Sequence, residues 1–318
     1  MAHIAVVVVG WNSWDVLPRC LSCLAAQTYT DFSVTVIDNA STTPIPAELQ
    51  AAHPHVNVVR NPSNLGFAAA NNLAIHQHTG QSEWIALLNP DAFPQPQWLA
   101  ELMLASAAHP QCSVFASRQL QADDPTLLDG DGDAYHLSGR AWRVGYGEPA
   151  ALAANAIRPV FGPCAAAGLY RRSAYTALGG LDEDFFCYLE DVDLSFRLQL
   201  AGHGCLLVPT AVVHHQGASS TGNAHSDFAV YYGHRNLVWA YVKNMPGALL
   251  WLTLPLHLAL TLATLVLYAH RPRVIWRAKR DALLGLGAVW KKRSAVQTNR
   301  KASLSTILRQ LDKRLFPY

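Results

Sequence analysis

Residues 4–12 read IAVVVVGWN: six apolar, mostly β-branched residues, closed by Gly10, Trp11 and Asn12. An unbroken apolar run of this length is the pattern of a strand covered on both faces, and it decides the fold class. Working outward, Val16–Ala26 carries Leu17, Cys20, Leu21 and Leu24 on one helical stripe. Phe32–Ile37 reads as a second strand with Asp38 and Asn39 at its end, and Val56–Arg60 as a third. Ala68–His76 reads as helix, Trp84–Leu88 as a fourth strand stopping at Asn89-Pro90-Asp91, and Trp98–Ala108 as helix. The alternation predicts an α/β fold built on a mainly parallel, doubly wound sheet with flanking helices. Ligands of such sheets bind beyond the carboxyl ends of the strands, where Asn12, Asp38 and Asp91 all fall. Residues 117–160 are rich in Asp, Gly and Pro and predict a loop-dominated insertion over the site. Strand and helix patterns return over 161–216, and from Tyr231 the chain becomes helical and apolar.

The 318 residues, half of them apolar, suit a large α/β domain with an appendage. The net charge of +2 hides an asymmetry. From Arg271 onward there are thirteen Lys/Arg and two Asp/Glu; before it there are eleven and twenty. An acidic body argues against nucleic-acid binding, and a basic tail beside an apolar stretch argues for a membrane surface. Cys20 and Cys23 are spaced like half a zinc site, but no second pair follows, so they read as a buried helix face. The N-terminus has no basic segment, and Ile4–Val9 is too short for a secretion signal.

Four segments carry candidate chemistry. Asp91 sits at a strand end, held by Pro94 and Pro96; it either faces a ligand crevice or forms an Asx-turn that ends the strand. Glu190, Asp191 and Asp193 open a helix, where acids are favoured by its dipole. Three acids in four positions beside several aromatics exceed what a cap needs, and one of them suits a general base in a partly dry site. His214-His215 end a further strand, over Cys205–Val213, and suit metal ligation as well as packing. Asn64 and Gly66 open a helix of small residues that lets backbone approach a ligand or a sheet closely. Asp129, Asp131 and Asp133 alternate like a calcium loop, but its sixth and twelfth positions are Ala134 and Arg140, so that reading fails. The glycine fingerprints of phosphate and dinucleotide loops are absent, which removes the main support for a kinase or an oxidoreductase.

These segments in this order resemble the inverting family 2 glycosyltransferases, especially the rhamnosyltransferase-like branch. The stretches are VVVVGWNSWDVLPRCLSCLAAQTYTDFSVTVIDNAST, NPSNLGFAAANNLAI, LLNPDAFPQPQWL, GLYRRSAYTALGGLDEDFFCYLEDVDLSFRLQLAGHGCLLVP and AVVHHQGASS, across about residues 4–220. The segment YYGHRNLVWAYVKNMPG, the apolar helices and the basic tail extend it. The resemblance implies a GT-A fold over 1–230, with a nucleotide-binding half at about 1–116 and an acceptor half at about 117–230. A helical, membrane-associating region would occupy 231–318. It implies that Asp38 contacts the nucleoside and that Asn12, Asn64 and Gly66 lie near the nucleotide. Asn89-Pro90-Asp91 stands where the family carries its DxD motif, so Asp91 would hold Mg2+ or Mn2+. His214 has the better spacing to Gly217 and Ser219 for a second ligand, with His215 as the alternative. Asp191 matches the catalytic base, supported by Glu190 and Asp193. Arg171 and Arg172 suit phosphate, acceptor or solvent contact, with solvent favoured.

The implied reaction moves a sugar from a nucleotide diphosphate donor to a hydroxyl of a glycan or lipid-linked acceptor. L-Rhamnose from dTDP-rhamnose leads; UDP-hexoses and galactofuranose are alternatives. A silent homologue acting as glycan-binding or assembly scaffold is the rival, disfavoured by the joint presence of Asp91, Asp191 and His214. No charged residue stands between Lys243 and Arg271, and Gly247–Ala269 is long enough to span a bilayer. One span cannot leave both a nucleotide-sugar domain and a basic tail in the cytoplasm. A monotopic or re-entrant segment at the cytoplasmic face of a bacterial inner membrane follows, with Trp239, Trp251, Trp276 and Trp290 near the interface. A soluble appendage or homodimer interface is the alternative.

Overall fold

The computed structural model describes residues 3–80, 82–217 and 226–314. Ser219, invoked for the histidine spacing, lies outside them. The first half runs β1 (Ile4–Gly10), α1 (Leu17–Ala25), β2 (Phe32–Asp38), α2 (Ala47–Ala52), β3 (Val56–Arg60), α3 (Gly66–Gln77), β4 (Trp84–Leu88), β5 (Ala92–Pro94), α4 (Trp98–Ala108) and β6 (Val114–Gln121). Then come β7 (Leu128–Gly130), β8 (Asp133–Tyr135), β9 (Ala141–Arg143), β10 (Arg158–Val160), β11 (Ala167–Arg171), α5 (Arg172–Ala177), α6 (Glu190–Leu200) and β12 (Cys205–His215).

The main sheet has the order β10-β12-β6-β11-β4-β1-β2-β3. Strands β3, β2, β1 and β4 are parallel, β11 is antiparallel to both neighbours, and β12 is parallel to β6. The chain leaves β1 toward β2 on one side and returns through α3 to β4 on the other. The carboxyl ends of β1 and β4 therefore flank a topological switch point.

β1 shows why the run at Ile4 is so apolar. Ile4, Val6 and Val8 pack with Leu17, Leu21, Leu24, Trp98 and Leu102 in one core. Val7 and Val9 pack with Ala68, Ala74, Ile75, Tyr175 and Leu194 in a second core on the opposite face. Alternate residues of one strand thus serve two helical layers. Cys20 is fully buried on the α1 stripe, as expected of a helix face.

The insertion is dominated by loops, as expected, but it is tied down by short strands. Its pieces are strands of three residues: β7 pairs with β6, and β8 pairs with β9 in a separate two-stranded sheet. Three residues are too few to show a period of two.

The C-terminal region is helical: α7 (Asp227–Asn244), α8 (Gly247–Leu267), α9 (Pro272–Leu284), α10 (Leu286–Thr298) and α11 (Leu304–Gln310). It shares a core with the rest of the chain. Tyr241, Met245, Leu249, Ile307 and Leu311 pack with Tyr135, Phe161, Val192 and Phe196. Ion pairs reinforce the joint: Lys243 reaches both Asp182 and Asp193, and Lys292 reaches Asp182 and Asp184.

Candidate active site

At the ends of β1 and β2 polar side chains hold one another. Asp38, 1% exposed, accepts from the Ser41 amide at 2.8 Å and from Arg60 at 2.6 Å. Asn12, in left-handed backbone with φ 53°, accepts from the Thr42 amide and hydroxyl. Asn39 is a buried hub. Its amide donates to Asn64 Oδ1 and to the Gly66 carbonyl, and its oxygen accepts from Asn61 and from the Leu65 amide. Asn12, Asp38, Asn64 and Gly66 therefore share one rim. The part played by Asn39 was legible only as "the residue after Asp38".

The end of β4 supplies Asn89 and Asp91. The Asn89 amide bonds to the Ala166 carbonyl, and its side-chain oxygen is buried without a hydrogen bond. Asp91 is 4% exposed, and its Oδ1 lies 3.4 Å from Nε2 of His215. That nitrogen is buried and makes no hydrogen bond. Nδ1 of His215 contacts Asp129 Oδ2 at 2.8 Å, which fixes the ring and aims Nε2 at Asp91. Burial alone would lower the His215 pKa, but the carboxylates of Asp129 and Asp91 outweigh it and raise it.

The expectation that His214 joins Asp91 is corrected. β12 pairs in regular register over Val212–His215, so neighbouring side chains leave opposite faces of the sheet. His214 lies on the far face, with Nε2 3.4 Å from the Gln95 amide nitrogen. Burial and the nearby Arg19 lower its pKa. His215, the alternative, faces the carboxylate.

Across the site α6 presents its acids. Asp191 is half-buried; its Oδ2 accepts from the Ala165 amide at 3.1 Å and its Oδ1 from the Val192 amide at 2.8 Å. Burial raises its pKa against those two bonds and Arg143. Glu190 is buried with Oε2 lacking a partner, and burial and Asp191 push its pKa well up. Asp193, fully buried, is bound by Arg197, Lys243 and Asn244 and is structural.

The insertion joins the two sides. Arg143 contacts Asp129 at 2.5 Å and acts electrostatically on both Asp133 and Asp191. Asp133 is buried, and burial and Asp191 raise its pKa well above the usual carboxylate range. A line of contacts therefore runs Asp91–His215–Asp129–Arg143, and Arg143 in turn acts on Asp191. The sequence reading set Asp129 and Asp133 aside with the failed calcium loop and did not name Arg143, because their partners are distant in the chain. Arg171 and Arg172, both half-buried, belong to the opposite end of the sheet from the site, beside Glu83 and the carbonyls of Ile75 and Ser82.

Among the described residues no group of three or more His, Cys, Asp and Glu forms a metal cage by itself. The pair Asp91 and His215 nonetheless fits a divalent cation. A buried imidazole nitrogen without a hydrogen bond faces a carboxylate oxygen, and its ring is locked from behind by Asp129. Two protein ligands leave coordination positions for diphosphate oxygens.

A switch point bordered by Asp38 and Asn64, with the Asp91–His215 pair at the end of β4 and Asp191 at the start of α6, suits a GT-A glycosyltransferase. Residues 5–178 match the Glycosyl transferase family 2 model, and the chain belongs to that family. The chain is 29% identical over 246 residues to the N-acetylglucosaminyl-diphospho-decaprenol L-rhamnosyltransferase of Mycobacterium tuberculosis, covering 68% of this chain and 77% of the relative. Solved structures show the same fold. The mannosyltransferase PcManGT of Pyrobaculum calidifontis, in complex with GDP-Man and Mn2+, superposes with a TM-score of 0.56 at 16% identity, over 96% of this chain and 86% of that one. GalNAc-T7 with UDP, GalNAc and Mn2+ superposes with a TM-score of 0.62 at 16% identity; the match covers 76% of this chain and 48% of that one.

Proposed function

We propose that this glycosyltransferase moves L-rhamnose from dTDP-rhamnose to a hydroxyl of a lipid-linked glycan, with inversion and with a divalent cation at Asp91 and His215. The observations that support the mechanism are the contact line Asp91–His215–Asp129–Arg143 and the Asp191 carboxylate held by the Ala165 and Val192 amides. The similarity to an L-rhamnosyltransferase whose name specifies a diphospho-decaprenol acceptor supports the sugar and the acceptor class.

The residues divide the work. Asp38, Asn12, Asn64 and Gly66 line the rim where the nucleotide binds, with Asn89 and Asp91 at its diphosphate end. Asp91 and His215 would hold the cation, which would supply neutralisation of the charge that develops on the leaving diphosphate. Asp129 holds the His215 ring in place. Asp191 accepts the proton of the acceptor hydroxyl as its oxygen bonds to the anomeric carbon and the bond to the diphosphate breaks. One displacement inverts that carbon. A pKa raised by burial makes Asp191 a better proton acceptor than a solvated aspartate, and the Ala165 and Val192 amides fix its aim.

The C-terminal region supports action at a membrane surface, with 1–230 as the catalytic unit and 231–318 as the anchoring one. α8 is long and apolar enough to cross a bilayer, yet only 28% of its apolar window is buried in the protein. Trp251, Leu252, Leu262 and Val266 are exposed, as are Trp276, Leu283 and Leu284 on α9. Exposed Arg273, Arg277 and Arg280 accompany them. Apolar side chains beside cations suit the cytoplasmic headgroup region of a bacterial inner membrane.

A donor screen tests the function. Nucleoside diphosphate release from dTDP-rhamnose, UDP-hexoses and UDP-galactofuranose is measured with and without Mn2+ or Mg2+, against a prenyl-diphosphate-linked N-acetylglucosamine acceptor. Acceptor-dependent dTDP release that needs the cation is expected; turnover only with a UDP-sugar would overturn the donor. Retention in the membrane pellet after a salt wash is expected if α8 inserts, and release by salt alone contradicts insertion.

A further inference from the structure

The turn that delivers Asp191 is built against ordinary backbone preference. Phe186, Tyr188 and Leu189 have φ of 65°, 67° and 65°, a region that large L side chains rarely adopt. Such residues persist only where their surroundings hold them, and they gather at working sites. Here the surroundings are explicit. Asn236 of α7, with no exposed surface, donates its side-chain amide to the carbonyls of Phe185 at 3.0 Å, Cys187 at 2.9 Å and Tyr188 at 2.7 Å. Its oxygen accepts from Arg235 Nε at 2.9 Å, and Arg235 Nη2 donates to the carbonyls of Asp184 and Phe185. The Phe186 carbonyl takes the Ala68 amide from α3, and the Leu189 carbonyl takes the Asp193 amide. Every carbonyl from 184 to 189 is thus occupied, four of them by two adjacent side chains of α7.

We infer that Asn236 is a positioning residue for sugar transfer: it holds the left-handed turn at 186–189 and thereby aims the Asp191 carboxylate. The inference rests on the reading of Asp191 as the base. Only a primary amide offers two N–H bonds to several carbonyls and an acceptor to Arg235 from one planar group. Without it the turn relaxes toward negative φ, and α6 starts from a different place. Misplacement of a reacting group by about 1 Å costs on the order of 100-fold in rate. The nucleotide rim meets this turn at α3, where Phe186 packs against Gly66 and its carbonyl takes the Ala68 amide; the Asn236 amide bonds the carbonyls on either side of that contact and not the contact itself.

The test uses the full chain, with the donor and acceptor that turn over fastest in the screen above, and dTDP with Mn2+ as binding probe. Asn236→Ala is expected to lower kcat about 30-fold or more, with donor KM and the Kd for dTDP within threefold of wild type. Hydrogen exchange in 184–191 should rise. A folded variant with kcat within threefold of wild type overturns the inference, as does a loss of dTDP affinity that accounts for the whole rate loss. If Asn236→Ala does not fold, half-exposed Arg235→Ala carries the test: about a fivefold fall in kcat at unchanged Kd supports the inference, and full kcat overturns it. Asp191→Asn is run alongside. Retained turnover there removes the base and this inference together, whereas an inactive Asp191→Asn beside a fully active Asn236→Ala removes this inference alone.

Discussion

The acid triplets Asp129/Asp131/Asp133 in the insertion and Glu190/Asp191/Asp193 at the start of α6 divide their labour in the same way. Each has one acid locked into buried ion pairs: Asp131 with Arg118 and Arg158, Asp193 with Arg197 and Lys243. Each has one acid that burial leaves with a strongly raised pKa, Asp133 and Glu190. Each has one acid to which the proposed mechanism gives a task, Asp129 behind His215 and Asp191 held by the Ala165 and Val192 amides. They differ in how the backbone separates the roles. On α6 the 100° step between residues does it. In the insertion, regular strand would put all three on one face, but Gly132 at φ 79° breaks the alternation and sends the acids to different partners. A side chain on Gly132 would meet the Gly162 carbonyl at 3.0 Å, so the bend also needs the space. Spacing alone therefore does not tell a metal loop from three independent jobs.

The largest expected effect breaks the working pair. Asp191→Asn should lower turnover about 1000-fold with nucleotide binding unchanged, the size of a lost general base. Because burial raises the Asp191 pKa, the base is ionised only above that raised value. Activity should therefore fall as pH drops through a midpoint above the ordinary aspartate range. A kcat/KM profile flat down to pH 4 would contradict this.

Next come the locked acids. Asp193→Ala and Asp131→Ala each strand buried cations and should cost about 3–5 kcal/mol in denaturant unfolding. Loss of turnover in protein of wild-type stability would instead make either one a site residue. Smaller again, Asp129→Asn should weaken Mn2+-dependent nucleotide affinity about tenfold by loosening His215, while His214→Ala should leave it within about twofold, since that ring lies on the other face of β12. Equal effects from both would undo the face assignment.

The smallest effect concerns the protonated acids. Folded Glu190 holds its proton to higher pH than the unfolded chain does, so its contribution to stability is full below the unfolded pKa of ordinary glutamate. It is lost as pH rises through the raised folded value. Glu190→Gln should remove that dependence and stabilise the protein modestly at neutral pH, measured as Tm against pH.

Long local patterns were readable beforehand. β1, β4 and α4 stand where their apolar runs put them, and Asn12, Asp38 and Asp91 sit at strand ends because strand ends follow from those runs. What escaped depended on distant partners. Asp129 acts on a histidine 86 residues away. The choice between His214 and His215 needed the register of β12 against β6, because a period of two says only that the pair divides between faces. Asn236 was visible within a helical segment, but nothing local shows that it grips a turn 48 residues earlier.

A crystal structure with dTDP and Mn2+ bears most directly on the account. The cation should be bound by an Asp91 carboxylate oxygen and by His215 Nε2, with the diphosphate completing its shell. A cation bound by His214, or a diphosphate seated away from Asp91, would contradict it.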